Sequence, residues 1–365
     1  RMVEASAAAR ARFCKSLDAV QERLSACLDK EHFALQIQPD YLAKAVRAYP
    51  ERGGKRLRPA LTYWFCGMVG GDPARADRAA LAVELFHNWT LIHDDIIDDD
   101  DVRRGGPSCH VMLASAASQV GITDPVAVRR FGHSMGILAG DILHGWSLNA
   151  LSRSRGDGVP ADVVDALTAR LCGWVTPQLI SGEALDVEFE NRDDLGRDEI
   201  ENMLLMKTGV LLQYAAEAGV MIGNSTPDWG EALVRRAGHF AATAGMAFQI
   251  QDDVLGVFGD SARLGKPVGS DLREGKRTLL LVTALERSVG DDQDLLRAVL
   301  RGHAPATGDI EEIRRIMVDC GALAVAQERA RSLIADAHGA LDDFPAGEHR
   351  DILHGWLDYL VERDC

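Results

Sequence analysis

Two aspartate clusters lie in apolar stretches of helical character and are the residues of this chain best suited to metal chemistry. The first contains Asp94, Asp95 and Asp98, and the second contains Asp252 and Asp253. Asp94 and Asp98 share one helix face, because residues four apart are separated by about one turn. Carboxylates among Leu, Ile and Phe side chains are costly to bury without a cationic partner. Such carboxylate rows suit hard divalent cations, and Mg²⁺ on oxygen ligands usually brings a substrate phosphate with it.

Two simpler interpretations of these clusters are weaker. The run from Asp98 to Asp101 alone would ordinarily be a solvated surface, but the apolar residues directly before each cluster argue against this. An EF-hand calcium loop requires alternating aspartates, a glycine and a closing glutamate, and neither cluster has that pattern. Metal-assisted chemistry is therefore the favoured interpretation.

Basic strings bracket both clusters and could bind phosphate. They are Gly53-Gly54-Lys55-Arg56-Leu57-Arg58-Pro59, Arg103-Arg104-Gly105-Gly106, Gly265-Lys266 and Gly275-Lys276-Arg277. Arginine binds phosphate oxygens through two parallel hydrogen bonds, whereas lysine acts as a point charge. None of the strings is a nucleotide-binding Walker A loop, because each lacks the upstream glycine and the Ser or Thr after the lysine.

In type and order these motifs resemble those of the trans-prenyltransferases, which are the all-α isoprenyl diphosphate synthases. The similarity extends from Gly53 to about Leu281 and comprises six motifs. They are the Gly-Lys-Arg-x-Arg-Pro string, His87 after Phe86, the first aspartate cluster with Arg103-Arg104-Gly105, Lys207-Thr208, the second aspartate cluster, and Lys266 with the segment from Asp271 to Lys276. Six motifs in one order are far more specific than any one of them.

The resemblance implies a Mg²⁺-dependent, head-to-tail condensation of isopentenyl diphosphate with an allylic diphosphate (dimethylallyl, geranyl or farnesyl diphosphate). Three Mg²⁺ ions are expected, with Mn²⁺ as a substitute. The implied metal ligands are Asp94, Asp95, Asp98 and Asp252. These residues, together with Arg103 and Lys207, would form the catalytic group that stabilises the departing diphosphate. The implied substrate-binding residues are Lys55, Arg58, His87, Arg103, Arg104, Lys207, Thr208, Gln249, Lys266 and Lys276.

The position of His87 can be checked by helix geometry. It precedes Asp94 by seven residues, so on a helix the two lie on nearly the same face and about 10 Å apart. This separation is compatible with two diphosphate subsites, and isopentenyl diphosphate is expected near Lys55, Arg58, His87 and Arg104. Without the basic strings, a buried core histidine would be the simpler interpretation of His87.

Several residues have open alternatives. Gln249 could simply hydrogen-bond the carboxylate one turn later, and Thr208 could bond its own helix backbone. Asp253 is expected either to bind metal through water or to orient the lysines. Gly256 stands where many family members have a third aspartate, and Glu183 follows Gly182 where Gln is more usual. These departures leave the ligand set on that side open but remove no core motif.

Trp89 and Thr90 are the predicted determinants of product length. In the resembled family, bulk at the fifth and fourth residues before the first aspartate blocks the growing chain. Trp89 predicts short products, geranylgeranyl diphosphate (C20) first and farnesyl diphosphate (C15) second. On an ideal helix, however, Thr90 and Leu91 lie nearer the carboxylate face than Trp89, and tryptophan is also a common core residue.

Two other function classes are weighed against chain elongation. A class I terpene cyclase shares the first motif but normally carries an Asn/Asp-x-x-Ser/Thr-x-x-x-Glu second motif, and here Asp252-Asp253 and the Gly-Lys-Arg-x-Arg-Pro string count against it. A non-catalytic regulatory subunit of a heteromeric synthase would be expected to lose aspartates that this chain retains.

Helical periodicity predicts an all-α protein, a single large bundle around a central cavity of the isoprenoid synthase type I fold. One domain is expected over residues 1–365, with Arg1 ahead of Met2 interpreted as an expression scar; no segment is predicted as a strand. The predicted helices lie near 4–29, 40–49, 56–69, 75–98, 125–151, 161–188, 198–222, 229–256, 276–287, 293–301, 310–318, 320–341 and 349–362.

Composition limits the partners and the compartment. A net charge of −15 argues against nucleic acid or an anionic membrane as a partner. The 7 cysteines form no Cys-x-x-Cys pair, so reduced cytoplasmic thiols are expected rather than disulfides or zinc sites. No apolar run has transmembrane length, and no signal peptide is recognised. The resemblance also implies a homodimer.

Overall fold

The computed structural model describes residues 2–259, 272, 275–301 and 307–362, and these residues confirm the all-α prediction. Helices α1 to α8 are Met2–Asp29, Asp40–Glu51, Leu57–Met68, Asp77–Ile97, Cys109–Ser115, Pro125–Ser152, Ala161–Arg170 and Thr176–Phe189. Helices α9 to α16 are Arg197–Leu204, Val210–Asn224, Ala232–Phe258, Leu279–Arg287, Asp291–Leu300, Thr307–Asp319, Ala322–Ala340 and Glu348–Glu362. Short 3₁₀ segments lie at Phe33–Gln36, Pro73–Ala76, Ala117–Val120 and Arg153–Asp157.

Helix α10 lies at the centre of the packing. It contacts α3 on one side and α11 on another, and α4 packs mainly against α6. Nearly all residues of α10 from Val210 to Ile222 are buried, as expected for a helix that is apolar on most of its circumference. One continuous hydrophobic core joins Phe13 in α1 to Leu360 in α16. In the described ranges, no helix is both long and apolar enough to cross a membrane.

Two short elements were not predicted. Strands β1 (Val102–Arg103) and β2 (Gly106–Pro107) form an antiparallel hairpin, and helix α5 follows directly after it. Arg104 and Gly105 both have positive φ, 52° and 73°, as a two-residue hairpin turn of type I′ requires. The prediction of no strand was wrong here because two-residue strands are too short to show alternation.

Two π-helical turns interrupt helices that were predicted as continuous. They lie at Leu171–Val175, between α7 and α8, and at Leu205–Gly209, between α9 and α10. A π turn accommodates one extra residue and is frequently found at functional sites. The second π turn contains Lys207 and Thr208, so the irregularity lies at predicted substrate-binding residues.

Candidate functional site

A lysine bridges the first aspartate cluster to α8. The Lys207 ammonium lies 3.4 Å from Asp94, 2.9 Å from Glu183 and 2.7 Å from Asp186. Burial opposes the charge on Lys207, but Asp94, Asp186 and Glu183 outweigh it and raise the pKa of this lysine. Lys207 therefore remains cationic beside the predicted metal ligands.

Close backbone packing brings Lys207 to this position. A side chain at Gly182 of α8 would place its Cβ 2.5 Å from the Lys207 amide nitrogen, which is sterically prohibited. Glycine at this position therefore lets α8 approach the π turn. The same turn packs against α11, the helix that carries the second aspartate cluster.

The carboxylates around Lys207 carry more negative charge than one lysine neutralises. Burial and the neighbouring Asp94 raise the pKa of Asp98 to about 6 and that of Glu183 to about 7. The buried Oδ1 of Asp94 accepts no hydrogen bond within the described ranges, and Lys207 approaches it only to 3.4 Å. Such mutual repulsion is relieved when cations enter the cluster.

Asp95 is held differently from Asp94 and Asp98. Its fully buried carboxylate accepts hydrogen bonds from the Tyr49 hydroxyl and from the Arg103 guanidinium, with Arg103 Nε at 2.7 Å. The Tyr49 hydroxyl in turn accepts from the Cys109 amide at 2.9 Å. Arg103 also lies 3.9 Å from Asp94. Asp95 thus anchors Arg103 and links α4 to α2 and α5.

A cationic cluster formed by Arg56, Arg58 and Arg104 lies beside the middle of α4. The Arg56 guanidinium donates to the Glu84 carboxylate and to a backbone carbonyl, and both residues of this pair are buried. Arg104 donates to the Tyr49 carbonyl at 2.9 Å and to Asn88 at 3.1 Å, and lies 3.6 Å from Glu84. Arg56 and Arg104 therefore have protein partners of their own.

Arg58 lacks such a partner. Its guanidinium lies 3.2 Å from His87 Nε2, its Nε has no hydrogen-bond partner, and it forms no ion pair with any described residue. Burial and nearby Arg104 lower its pKa to about 10, and the pKa of His87 lies well below its usual range because of burial and Arg58. A neutral His87 can accept the bond from Arg58, and the second edge of Arg58 is suited to an external anion.

Lys55 extends the cationic cluster towards the C-terminal helix. Its ammonium lies 3.4 Å from the Tyr359 hydroxyl of α16 and 5.9 Å from the centre of that ring. Sequence spacing gave no indication of Tyr359, because the two residues are distant in the chain.

In the second aspartate cluster, the Asp253 carboxylate binds two protein groups. Buried Asp253 accepts hydrogen bonds from Gln249 at 3.1 Å and from Lys276 at 2.9 Å. These contacts agree with the expectations that Asp253 orients a lysine and that Gln249 bonds a carboxylate. Asp252 is only half-buried, as is Thr208. Lys266 lies outside the described residues.

Trp89 and Thr90 face different surroundings. Trp89 is 7% exposed and packs against Phe86 at 4.9 Å and against His144 of α6 at 4.3 Å, measured between ring centres. Half-buried Thr90 donates to the His87 carbonyl at 2.8 Å. Trp89 thus lies where α4 meets α6, away from the edge of α4 at which Asp94 faces Lys207. Two surface depressions near Glu199 and Glu286 contain none of these predicted site residues.

Comparison with known proteins agrees with this arrangement. The family model described as polyprenyl synthetase matches residues 39–317. A geranylfarnesyl diphosphate synthase of Aeropyrum pernix is 35% identical, over 90% of this chain and 96% of its own length. The crystal structure of geranylgeranyl pyrophosphate synthetase from Pyrococcus horikoshii has a TM-score of 0.83 and 31% identity, with 97% of this chain and 98% of that chain covered.

A further solved structure contains the expected ligands. It is geranylgeranyl pyrophosphate synthase from Corynebacterium glutamicum complexed with isoprenyl diphosphate and magnesium, with a TM-score of 0.78, 27% identity and 99% of both chains covered. Since the family model and the relatives cover most of the chain, this protein belongs to the polyprenyl synthetase family of trans-isoprenyl diphosphate synthases and is a prenyltransferase.

Proposed function

We propose that this chain condenses isopentenyl diphosphate with an allylic diphosphate, head to tail, and that geranylgeranyl diphosphate is its main product. The observation that carries the proposal is that two sites of opposite charge lie along one helix, α4. Asp94 and Asp98 lie at its C-terminal end, and Arg58 meets His87 two turns earlier. One diphosphate bound through metal and another bound by arginine would therefore lie about 10 Å apart.

Asp94, Asp98 and Asp252 are the residues proposed to hold Mg²⁺. The repelling carboxylates and the unbonded Asp94 oxygen fit a hard cation with oxygen ligands. Bound Mg²⁺ would neutralise the allylic diphosphate and make it a better leaving group. Three ions, with Mn²⁺ as a substitute, remain the expectation. Because both Tyr49 and Arg103 occupy its carboxylate, Asp95 is assigned to positioning Arg103 rather than to binding metal.

The allylic substrate loses its diphosphate when the C–O bond breaks, and the protein must stabilise the charge that develops on the oxygen. Lys207 and Arg103 border the Asp94 end of the site and can donate to that diphosphate, and Lys276 is held beside the second cluster by Asp253. Thr208, Gln249 and Lys266 are proposed as further contacts to the same group.

Isopentenyl diphosphate is assigned to Lys55, Arg58, His87 and Arg104. Its double bond attacks the allylic cation, a C–C bond forms, and a proton is lost to the released diphosphate. Arg58 contributes the unpaired guanidinium edge, and neutral His87 holds that guanidinium without adding repulsion. The new allylic product can re-enter the cycle until the cavity is filled.

Product length is proposed to be limited at α4. Trp89, packed against α6, and Thr90 would close the path of the growing chain near the C20 stage. Relatives named for geranylgeranyl and for geranylfarnesyl products both support a short-chain range. Homodimerisation, a single domain over residues 1–365 and a cytoplasmic location are also proposed. Five of the described cysteines, Cys27, Cys66, Cys109, Cys172 and Cys320, are free thiols, which is compatible with a reducing compartment.

Incubation of the protein with Mg²⁺, isopentenyl diphosphate and each allylic primer in turn tests the proposal. We expect products ending mainly at C20, measured by chromatography after dephosphorylation, and far less product with Asp94→Ala. Cyclic hydrocarbon without elongation would favour a terpene cyclase. The absence of any product would refute the proposal.

A further inference from the structure

A second group of metal-binding side chains lies beyond the end of α4. The Asp99 carboxylate, one ring nitrogen of His110 in α5 and one of His133 in α6 lie within 4.8 Å of one another. They come from three separate elements that meet beside the hairpin. None of them belongs to the prenyl transfer site described above.

Both histidines have a ring nitrogen that no described residue uses. Nε2 of His110 and Nε2 of His133 are buried and have no hydrogen-bond partner in the described part of the chain, and His110 is only 4% exposed. The two rings are 5.0 Å apart and nearly perpendicular, and His133 Nε2 lies 3.7 Å from Asp99 Oδ1. A buried polar nitrogen without a partner is costly, so a ligand that accepts both lone pairs would remove that cost.

The surroundings prepare His110 for a metal. Its other nitrogen, Nδ1, lies 3.2 Å from the Ser108 hydroxyl. When Nδ1–H donates to that oxygen, Nε2 carries the lone pair that a metal requires, and such outer contacts commonly orient histidine ligands. Burial and neighbouring His133 lower the pKa of His110, which also favours the neutral ring.

Close helix packing aligns the ligands. A side chain at Gly132 of α6 would place its Cβ 2.5 Å from the His110 carbonyl oxygen, so glycine lets α5 lie against α6 one residue before His133. Asp99 reaches the same point because its backbone turns back with φ of 57° after α4. Arg129 pairs with Asp99 through Oδ2, which leaves Oδ1 directed towards His133.

We propose that Asp99, His110 and His133 form a binding site for a borderline divalent transition-metal ion, Zn²⁺ first, distinct from the carboxylate sites for Mg²⁺. Two imidazoles and one carboxylate select such ions over Mg²⁺, which prefers oxygen ligands. Metal–nitrogen bonds of about 2.0–2.1 Å would require each ligand atom to move inward by about 1 Å, a side-chain adjustment. Because Asp99 is exposed, the ion can enter the site from the side on which Asp99 lies.

The ion would connect the end of α4 to α5 and α6. Asp99 directly follows Asp98, so the link would fix the segment that leaves the first aspartate cluster. The inference stands on these contacts alone and does not depend on the proposed prenyl transfer. Its expected effect is on stability, because an ion that binds only the folded state stabilises that state.

The site is tested by titrating Zn²⁺ into protein stripped of transition metals, in a buffer with millimolar Mg²⁺. Binding is measured by calorimetry and by the temperature of thermal unfolding. We expect one Zn²⁺ per chain, with a raised unfolding temperature. His133→Gln should weaken binding by more than the roughly 10–100-fold that follows loss of an outer contact to a ligand. His239→Gln is the matched control, because exposed His239 pairs only with Asp336 at 3.0 Å among the described residues. Asp98→Asn should also retain binding.

His133 is half-buried, so its variant should fold even if substitution of buried His110 does not. Cobalt titration gives a second readout, since Co²⁺ held by three protein ligands at low coordination number absorbs visible light more strongly than hydrated Co²⁺, and His133→Gln should remove that increase. Zinc affinity unchanged in His133→Gln, or no saturable binding to the wild-type chain, would overturn the proposal.

Discussion

Arg58 offers the sharpest test of the substrate assignment, with Arg56 as its matched control. The two arginines lie two residues apart, and both enter the cationic cluster. Arg56 is bonded to Glu84, whereas Arg58 has only His87 within the described ranges. Replacing each by Gln keeps most of the aliphatic side chain but removes the charge. We expect Arg56→Gln to lower stability with little effect on substrate binding, and Arg58→Gln to weaken substrate binding with little effect on stability.

The magnitudes follow from these contacts. Breaking a buried ion pair costs about 3–5 kcal/mol, and Arg56→Gln should be near 3 because Arg104 and Asn88 still face Glu84. Arg58→Gln breaks no ion pair and removes one of several clustered positive charges, so its free energy of unfolding should change little. A lost charge-assisted bond to phosphate costs about 1.5–3 kcal/mol, which is roughly 10- to 150-fold in KM.

Steady-state kinetics with each substrate varied in turn, together with urea unfolding, make the measurement. Arg58→Gln should raise KM for isopentenyl diphosphate by that factor and change KM for the allylic primer by less than about threefold. Equal effects on both substrates, or unfolding of Arg58→Gln as severe as that of Arg56→Gln, would refute the assignment of Arg58 to an anion subsite.

Three further predictions concern metal, product length and pH. EDTA should abolish prenyl transfer, Mg²⁺ should restore it, and Asp94→Ala should lower kcat about 10²-fold or more with unchanged circular dichroism; activity in chelator would contradict this. Trp89→Ala should shift products beyond C20 by chromatography, besides costing about 3–5 kcal/mol of stability, whereas an unchanged length distribution would make Trp89 a packing residue only. Burial raises the pKa of Glu217 from its usual 4.5 to about 7, so the folded state binds the extra proton and stability should fall as pH rises through that interval. Glu217→Gln should therefore be about 3 kcal/mol more stable than wild type at pH 8 but nearly equal at pH 4 in urea unfolding, and a constant difference would contradict the pKa shift.

The positions of most helices could be predicted from the sequence, because these helices are long and are bounded by glycine or proline. The start of α6 is an example: Asp124 caps the helix by accepting from the Ala127 amide, and Pro125 occupies the first turn. Helix α5 was missed because its residues, Cys109–Ser115, span too few turns to show periodicity. The π turns were missed because one extra residue barely alters an apolar pattern.

The metal and phosphate motifs could also be predicted from the sequence, because the residues of each motif are close together in the chain. The residues that contact these motifs in the fold could not be predicted. Tyr49 bonds Asp95 from another helix, Glu84 holds Arg56 and approaches Arg104, and Tyr359 lies near Lys55 from the C-terminal helix. These contacts depend on tertiary packing, so spacing along the chain cannot indicate them. They decide which carboxylates and cations remain available to a ligand.

The π turn at Leu205–Gly209 makes a widened helical turn part of the site. Deleting one residue there would regularise the helix and leave the phase of α10 nearly unchanged, because a π turn holds one residue more than an α turn. The buried face of α10, including Tyr214 and Val220, would keep its contacts with α3 and α11, but the widened turn that brings Lys207 to Asp94 would be lost. A one-residue deletion in this segment should thus reduce activity far more than stability, and a set of variants that differ in its length would separate the two.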